Sequence, residues 1–218
     1  MDRETLQAIA NQLRQPNGEH AIEVGEKMNE GNLQINLNTI EVLQLSANDN
    51  VLEIGMGNGF FVKDILSKDI NIKYSGCDFS SEMVDEASLK NKEYINGGRA
   101  QFYFASADHL PFQKEVFNKV FSINTLYFWE NPERVLSEIS RVLRPKGQLF
   151  ISIRPKSIMR LYPFVKFGFQ MYSKEDLSDL LAQNGFKVVS IVEKEEPDQK
   201  VGDVEMKVST LIVCGEKL

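Results

Sequence analysis

The sequence predicts an α/β fold: a mostly parallel sheet with helices on both faces and one reversed strand at its C-terminal end. Three observations carry that prediction. From residue 51 onward, short apolar runs alternate with segments of helical periodicity, the pattern left by right-handed crossovers between parallel strands. A glycine-rich turn joins the first apolar run directly to a helix. The last two runs are joined only by a charged polar loop around Pro197, which suits antiparallel neighbours better than a crossover.

Each element has a local cause. Residues 1–46 read as a helical extension expected to cover the active site, and residues 47–218 as the main structural unit. Thr5, Leu6, Ile9, Ala10 and Leu13 recur at helical spacing until Pro16-Asn17-Gly18 interrupts them. A second helix is expected over 21–28, ending near Gly31. For a third, Asn38 is the expected cap, with Glu41 three residues on and Leu37 and Val42 placed as a hydrophobic staple. Strands are expected over 51–54, 73–77, 100–105, 116–123, 148–153, 187–192 and 204–214. The glycine turn leads into a helix ending near residue 67, and Ser80 caps another that runs to about residue 94. Asn131-Pro132 opens a helix in the favoured cap-then-proline order, and the basic residues of Arg144-Pro145-Lys146-Gly147 complement its end. Ser173 and Asp176 form a capping box for a helix that stops at Gly185.

Composition closes off several classes of function. With 25 basic and 31 acidic side chains the formal charge is −6, poorly suited to nucleic acid or to an anionic membrane. No run approaches the ~18 consecutive apolar residues of a membrane span. The acidic, polar start Met1-Asp2-Arg3-Glu4-Thr5 is unlike a secretory leader. Cys77 and Cys214 cannot build a disulfide scaffold, and with only His20 and His109 beside them there is no zinc-ligand spacing. The expectation is a cytoplasmic protein without a metal.

The glycine turn points to a nucleotide-bearing ligand. Gly55-Met56-Gly57-Asn58-Gly59 would let a ligand approach bare backbone at a helix start, although a strand–glycine–helix turn also serves tight packing. The dinucleotide fingerprint is G-x-G-x-x-G, whereas here the third glycine comes one residue early and Phe60 takes its place. Glu53, just before the glycines, would repel a pyrophosphate but not an ammonium or sulfonium group. Asp78 lies 78 − 55 = 23 residues past the first glycine, close to the ~20 expected of a carboxylate accepting from ribose hydroxyls. Its other reading is a helix-entry carboxylate beside Ser80. Phe79 either lies against a base face or packs in the core. Asp108, in the loop after the third strand, either accepts from an exocyclic amine or is a solvated turn residue before Leu110-Pro111. Asn124 ends the fourth strand at the same crevice.

Four motifs together carry a family resemblance: Glu53-x-Gly55-x-Gly57-x-Gly59, Asp78-Phe79-Ser80-x-x-Met83, Ala107-Asp108-x-Leu110-Pro111-Phe112 and Arg141-Val142-Leu143-Arg144-Pro145-x-Gly147. The chain resembles a class I S-adenosylmethionine-dependent methyltransferase, similar to the branch of ubiquinone/menaquinone-biosynthesis C-methyltransferases and small-molecule methyltransferases. The motifs cover roughly residues 40–153. The resemblance implies a Rossmann-like seven-stranded sheet whose seventh strand is antiparallel, with S-adenosyl-L-methionine as cofactor. It assigns Glu53 and the loop Gly55, Met56, Gly57 and Gly59 to the methionine end, Asp78 to the ribose hydroxyls and Phe79 to the adenine. Asp108, flanked by Ala107 and His109, falls to the adenine amine, and Asn124 to the border of the amino-acid part. Two departures stand out: Met56 replaces a usually small residue, and Lys146 stands where a glycine is common. Tyr127 and Trp129 lie where related enzymes often carry histidines, so no base transfers from them.

Methyl transfer from a sulfonium is an in-line displacement with a neutral leaving group, so a protein can act by alignment and exclusion of water alone. If the acceptor needs deprotonation, the candidates are His109, Tyr127 and Glu130. Asn124-Thr125-Leu126-Tyr127 lacks the two prolines of the amino-methylating nucleic-acid enzymes, and neither cysteine follows the fourth strand, where base C5-methylation needs one. Asn124 and Arg154 stand at two places where metal-dependent catechol-type enzymes need carboxylates. The expected partner is therefore a small-molecule acceptor, apolar or anionic, met by a monomer or homodimer with no nucleic acid and no membrane span. Residues 154–172, aromatic and basic in an acidic chain, are expected either to form a lid over that acceptor or to cover the core with their charges solvated. Asn29, Gln34 and Asn36 are placed to close over the cofactor, unless they are merely polar loop residues. The rival readings are a cofactor-binding protein that transfers nothing and a nicotinamide-dependent oxidoreductase.

Overall fold

The computed structural model describes residues 1–201 and 204–218. Helices α1 (Arg3–Arg14), α2 (Ala21–Gly31) and α3 (Leu33–Val42) precede the first strand. The body then runs β1 (Asn50–Ile54), α4 (Val62–Leu66), β2 (Lys73–Asp78), α5 (Ser81–Lys90), α6 (Lys92–Asn96), β3 (Ala100–Phe104), β4 (Phe117–Ile123), α7 (Pro132–Val142) and β5 (Leu143–Ile153). The short α8 (Lys156–Met159), α9 (Lys174–Gln183), β6 (Phe186–Glu195), β7 (Gln199–Val201), β8 (Val204–Met206) and β9 (Ser209–Lys217) complete the described chain.

Seven strands form one sheet in the order β3-β2-β1-β4-β5-β9-β6. The strands from β3 to β5 pair in parallel, while β9 runs antiparallel to both β5 and β6. This is the expected architecture, the reversed seventh strand included. Successive residues alternate between two cores. Leu149, Ile151 and Ile153 of β5 join the core beneath α7 and α9, whereas Phe150 joins the core beneath α3 and α4. Both faces of the sheet are thus covered, as a parallel sheet requires.

Several local signals act where the sequence placed them. Asn131 caps α7, accepting from Arg134 N at 3.0 Å, and Ser80 caps α5, accepting from Met83 N. Ser173 and Asp176 form the complete capping box of α9. Other expectations need correction. Asn38 is not a cap: α3 begins at Leu33, and Asn38 lies buried within it, donating from Nδ2 to Thr210 Oγ1 at 3.1 Å. Neighbouring Thr39 donates to Ser152 Oγ at 2.8 Å, so these polar side chains dock α3 on the sheet. The helix after Ser80 divides at Asn91, whose side chain turns back to Gly59 O and Ala87 O. The strand expected over 148–153 begins earlier, at Leu143, and the strand expected over 204–214 is two strands, β8 pairing with β7 as a small hairpin before β9. Among the described residues no helix is long and apolar enough to cross a membrane.

Candidate active site

The order of the sheet reverses between β1 and β4, and a ligand crevice forms there, beyond the carboxyl ends of the strands. It is a cavity of about 490 Å³. The loops after β1, β2, β3 and β4 build its floor and sides, and α1, α2 and α3 contribute Leu13, Gly25, Met28 and Asn36 from above.

The loop after β1 depends on backbone that side chains disfavour. Gly55, Gly57 and Gly59 have φ of +74°, +57° and +66°. A Cβ on Gly57 would meet nothing within 4 Å, so this glycine leaves peptide bare to the cavity. Gly59 faces the other way, and a Cβ there would lie 2.9 Å from Ala87 Cβ on α5. The two glycines therefore answer different needs, ligand approach and helix packing.

Asp78, the last residue of β2, fixes this loop. Its Oδ2 accepts from Gly57 N and its Oδ1 from Ser80 N, both at 2.9 Å. Burial pushes its carboxyl above the ordinary range, against the pull of those amide donors. Each oxygen keeps a lone pair for a ligand. Glu53 is 5% exposed and accepts from the Tyr74 hydroxyl at 2.6 Å. Desolvation raises its pKa to about 7, Tyr74 opposing and the Asp78 charge adding. Among the described residues neither Glu53 nor Asp78 has a cationic partner. Asn58, also lining the cavity, is 3% exposed, and neither atom of its amide has a hydrogen-bond partner. Buried polar atoms are normally satisfied, so both features call for a ligand that is cationic at one end and hydrogen-bonding throughout. An amino-acid sulfonium joined to a ribonucleoside has that donor set, and the residues present fit it.

The structure brings most of the sequence-selected residues together. Glu53, Gly55, Met56, Gly57, Asp78, Phe79, Ala107, Asp108 and Asn124 line the cavity, and Gly59 and His109 do not. His109 is exposed, its backbone N–H donating to Ser106 O at 3.0 Å. Asp108 accepts from Ser106 Oγ at 2.6 Å and lies 3.5 Å from Arg134 Nε. The Phe79 carbonyl accepts from Gln15 Nε2 at 2.8 Å, which ties the end of α1 to the rim. Glu130 lines the cavity but is bound to Arg14 at 2.6 Å. Tyr127 is buried, its hydroxyl accepting from Arg154 N at 2.6 Å and shared as donor between Asn124 Oδ1 and Arg154 O. Burial pushes its pKa up, so it is committed to structure. Asn29 and Asn36 line the cavity, whereas Gln34 does not and instead donates to Asn38. Asn58 and the α1–α2 residues Leu13, Gly25 and Met28 were not selected from sequence. Asn58 looks like one more loop residue there, and apolar helix residues carry no sign of what they face.

Comparison with known proteins agrees with this geometry. The Methyltransferase domain family matches residues 52–151. The chain is 34% identical over 167 residues to the uncharacterised protein MJ1123 of Methanocaldococcus jannaschii, covering 72% of this chain and 74% of that one. It is also 34% identical over 114 residues to YrhH of Bacillus subtilis, covering 52% of this chain and 62% of YrhH. The chain therefore spans less than two thirds of that relative. Among solved structures, a chain in the complex of the Haloferax volcanii Trm112 methyltransferase activator superposes with a TM-score of 0.78 at 18% identity, covering 100% of this chain and 99% of that one.

Proposed function

We propose that this chain, which belongs to the class I S-adenosylmethionine-dependent methyltransferases, transfers a methyl group to a small-molecule acceptor. The observation that carries the reading is the pair of buried carboxylates, Glu53 and Asp78, facing a cavity whose glycine loop leaves peptide bare at Gly57. When bound, the cofactor would supply an electrophilic methyl carbon on cationic sulfur with a neutral thioether as the leaving group.

The chain's own contribution is binding and alignment. Glu53 would offer negative charge to the ammonium end, and Asp78, which holds the loop, would accept from the ribose hydroxyls with its free lone pairs. Asn58 offers an unused amide. Asp108 and Phe79, which line the cavity, would hold the base. Asn124, at φ +56°, lines the cavity, its amide fixed by Tyr127 and by its own bond to Asn32 Oδ1 at 3.0 Å. None of the three base candidates is placed for that role: Tyr127 is committed, Glu130 is paired and His109 lies outside. Alignment and exclusion of water are therefore the expected sources of rate.

A thermal-shift comparison tests the cofactor. S-adenosylhomocysteine should raise the melting temperature and NAD should not; stabilisation by NAD alone would overturn the reading. Release of S-adenosylhomocysteine from S-adenosylmethionine across an acceptor panel separates an enzyme from a protein that only binds.

A further inference from the structure

A second cavity, of about 620 Å³, adjoins the first. The two share Leu13, Met28, Asn32, Asn124 and Phe128 as common walls. Its size falls within the roughly 300–1,000 Å³ of sites that hold drug-sized organic molecules.

The walls have a distinct chemistry. Tyr127, Phe128, Tyr162, Phe164 and Phe169 form one aromatic surface, with neighbouring ring centroids between 4.6 and 6.2 Å apart. Three of these come from the segment after β5, together with Met159 of α8, while α1 and α2 close the opposite side with Ala8, Ile9 and Val24. Two charged residues line the space among the described residues, and both are already neutralised. Arg154 is bound to buried Glu196 at 2.6 Å and donates to Gly31 O at 2.9 Å. Lys27 is bound to Glu23 at 2.6 Å on an exposed stretch of α2. Of the basic residues of the 154–172 segment that prompted an anionic acceptor, Lys156, Arg160 and Lys166 are exposed and do not line the cavity, which leaves the paired Arg154.

We infer that this second cavity receives the methyl acceptor, and that the acceptor is a neutral, ring-bearing, largely apolar molecule whose nucleophilic atom reaches the first cavity past Asn124. The inference rests on reading the first cavity as the cofactor's. An anion entering here would lose its water and gain no net positive charge, since Glu196 cancels Arg154; a cation would meet no free carboxylate. A neutral ring gains both the burial of apolar surface and edge or face contacts with five aromatic side chains. Asn124 and Asn32 are the polar groups at the junction, and the Asn124 amide keeps one N–H and one lone pair beyond its bonds to Asn32 and Tyr127.

Calorimetry with 2-naphthol, 2-naphthalenesulfonate and 2-naphthylmethylammonium, with and without S-adenosylhomocysteine, tests the inference. The neutral probe should bind at least tenfold more tightly than either charged one. Ala8→Trp, which fills the cavity from α1, should weaken naphthol at least tenfold while leaving S-adenosylhomocysteine affinity within twofold. Phe169→Ser, which removes one wall, should weaken naphthol about fivefold. Equal or tighter binding of a charged probe, or naphthol affinity indifferent to both substitutions, would overturn it. If naphthol binds and is blocked by Ala8→Trp but S-adenosylhomocysteine does not bind, the chemistry of this cavity stands and the cofactor reading falls instead.

Discussion

The thioether of Met56 fills the space above Gly76: a Cβ built on residue 76 would collide with Met56 Sδ and would lie 2.8 Å from the Tyr74 hydroxyl. A bulky residue inside the glycine loop is therefore accommodated by a missing side chain on β2, and the loop stays open toward the ligand. The same small space holds the Tyr74 hydroxyl against Glu53.

Gly76→Ala should accordingly destabilise the protein by about 1–3 kcal/mol, the ordinary cost of overpacking a core. Met56→Ala in the same chain should recover part of that loss, because the added methyl then has room. Urea denaturation of the two single variants and the double variant measures the coupling. Strictly additive losses would mean that the two residues do not compete for this space.

Glu53 makes stability depend on pH. Its folded pKa is raised to about 7 from an ordinary 4.5, so the folded state holds the proton more tightly than the unfolded chain. The stabilisation is complete below about pH 4.5 and is lost as pH rises through 7, on the order of 3 kcal/mol in all. Asp78, also raised by burial, acts in the same direction. Glu53→Gln should flatten the Glu53 part of the profile, read from denaturation between pH 5 and 8. A wild-type protein that gains stability across that range would contradict the assignment.

Ligand binding should report the same proton. The ammonium of S-adenosylhomocysteine favours the ionised carboxylate, so binding near pH 6 should release protons and affinity should rise toward pH 7.5. Calorimetry in two buffers of different ionisation enthalpy counts the protons, and Glu53→Gln should abolish most of that release.

Asp78→Ala should weaken S-adenosylhomocysteine more than Lys146→Ala does. The first removes the acceptor of both Gly57 N and Ser80 N beside the ligand, bonds to a charged group of about 1.5–3 kcal/mol each, so at least a tenfold loss is expected. Lys146 is an exposed residue at φ +60° in β5, outside the cavity. Equal effects by calorimetry would remove Asp78 from the site.

Ser80→Ala should cost about 1–3 kcal/mol and Ser81→Ala close to nothing. Buried Ser80 caps α5 and donates to Pro16 O at 2.5 Å, joining the extension to the rim of the cavity, whereas Ser81 is exposed. Thermal melts of the two variants make the comparison.

Sequence by itself determined the alternation of strands and helices, the reversed strand at the end, the capping of α5, α7 and α9, and the glycine loop with Asp78 behind it. All of these rest on interactions spanning a few residues or on a periodicity, which the order of residues displays directly. Only the tertiary structure decided what depends on contacts between distant positions. Asn38 has the local look of a cap, yet its partner is Thr210, 172 residues away. Nothing near Asn58 in the chain shows that its amide is buried without a partner, and nothing near Met56 shows that Gly76 makes room for it. Arg154 reads as a free positive charge until Glu196 is folded against it. Burial and pairing of charge arise from chain segments brought together in space, so they are settled by packing and not by sequence neighbours.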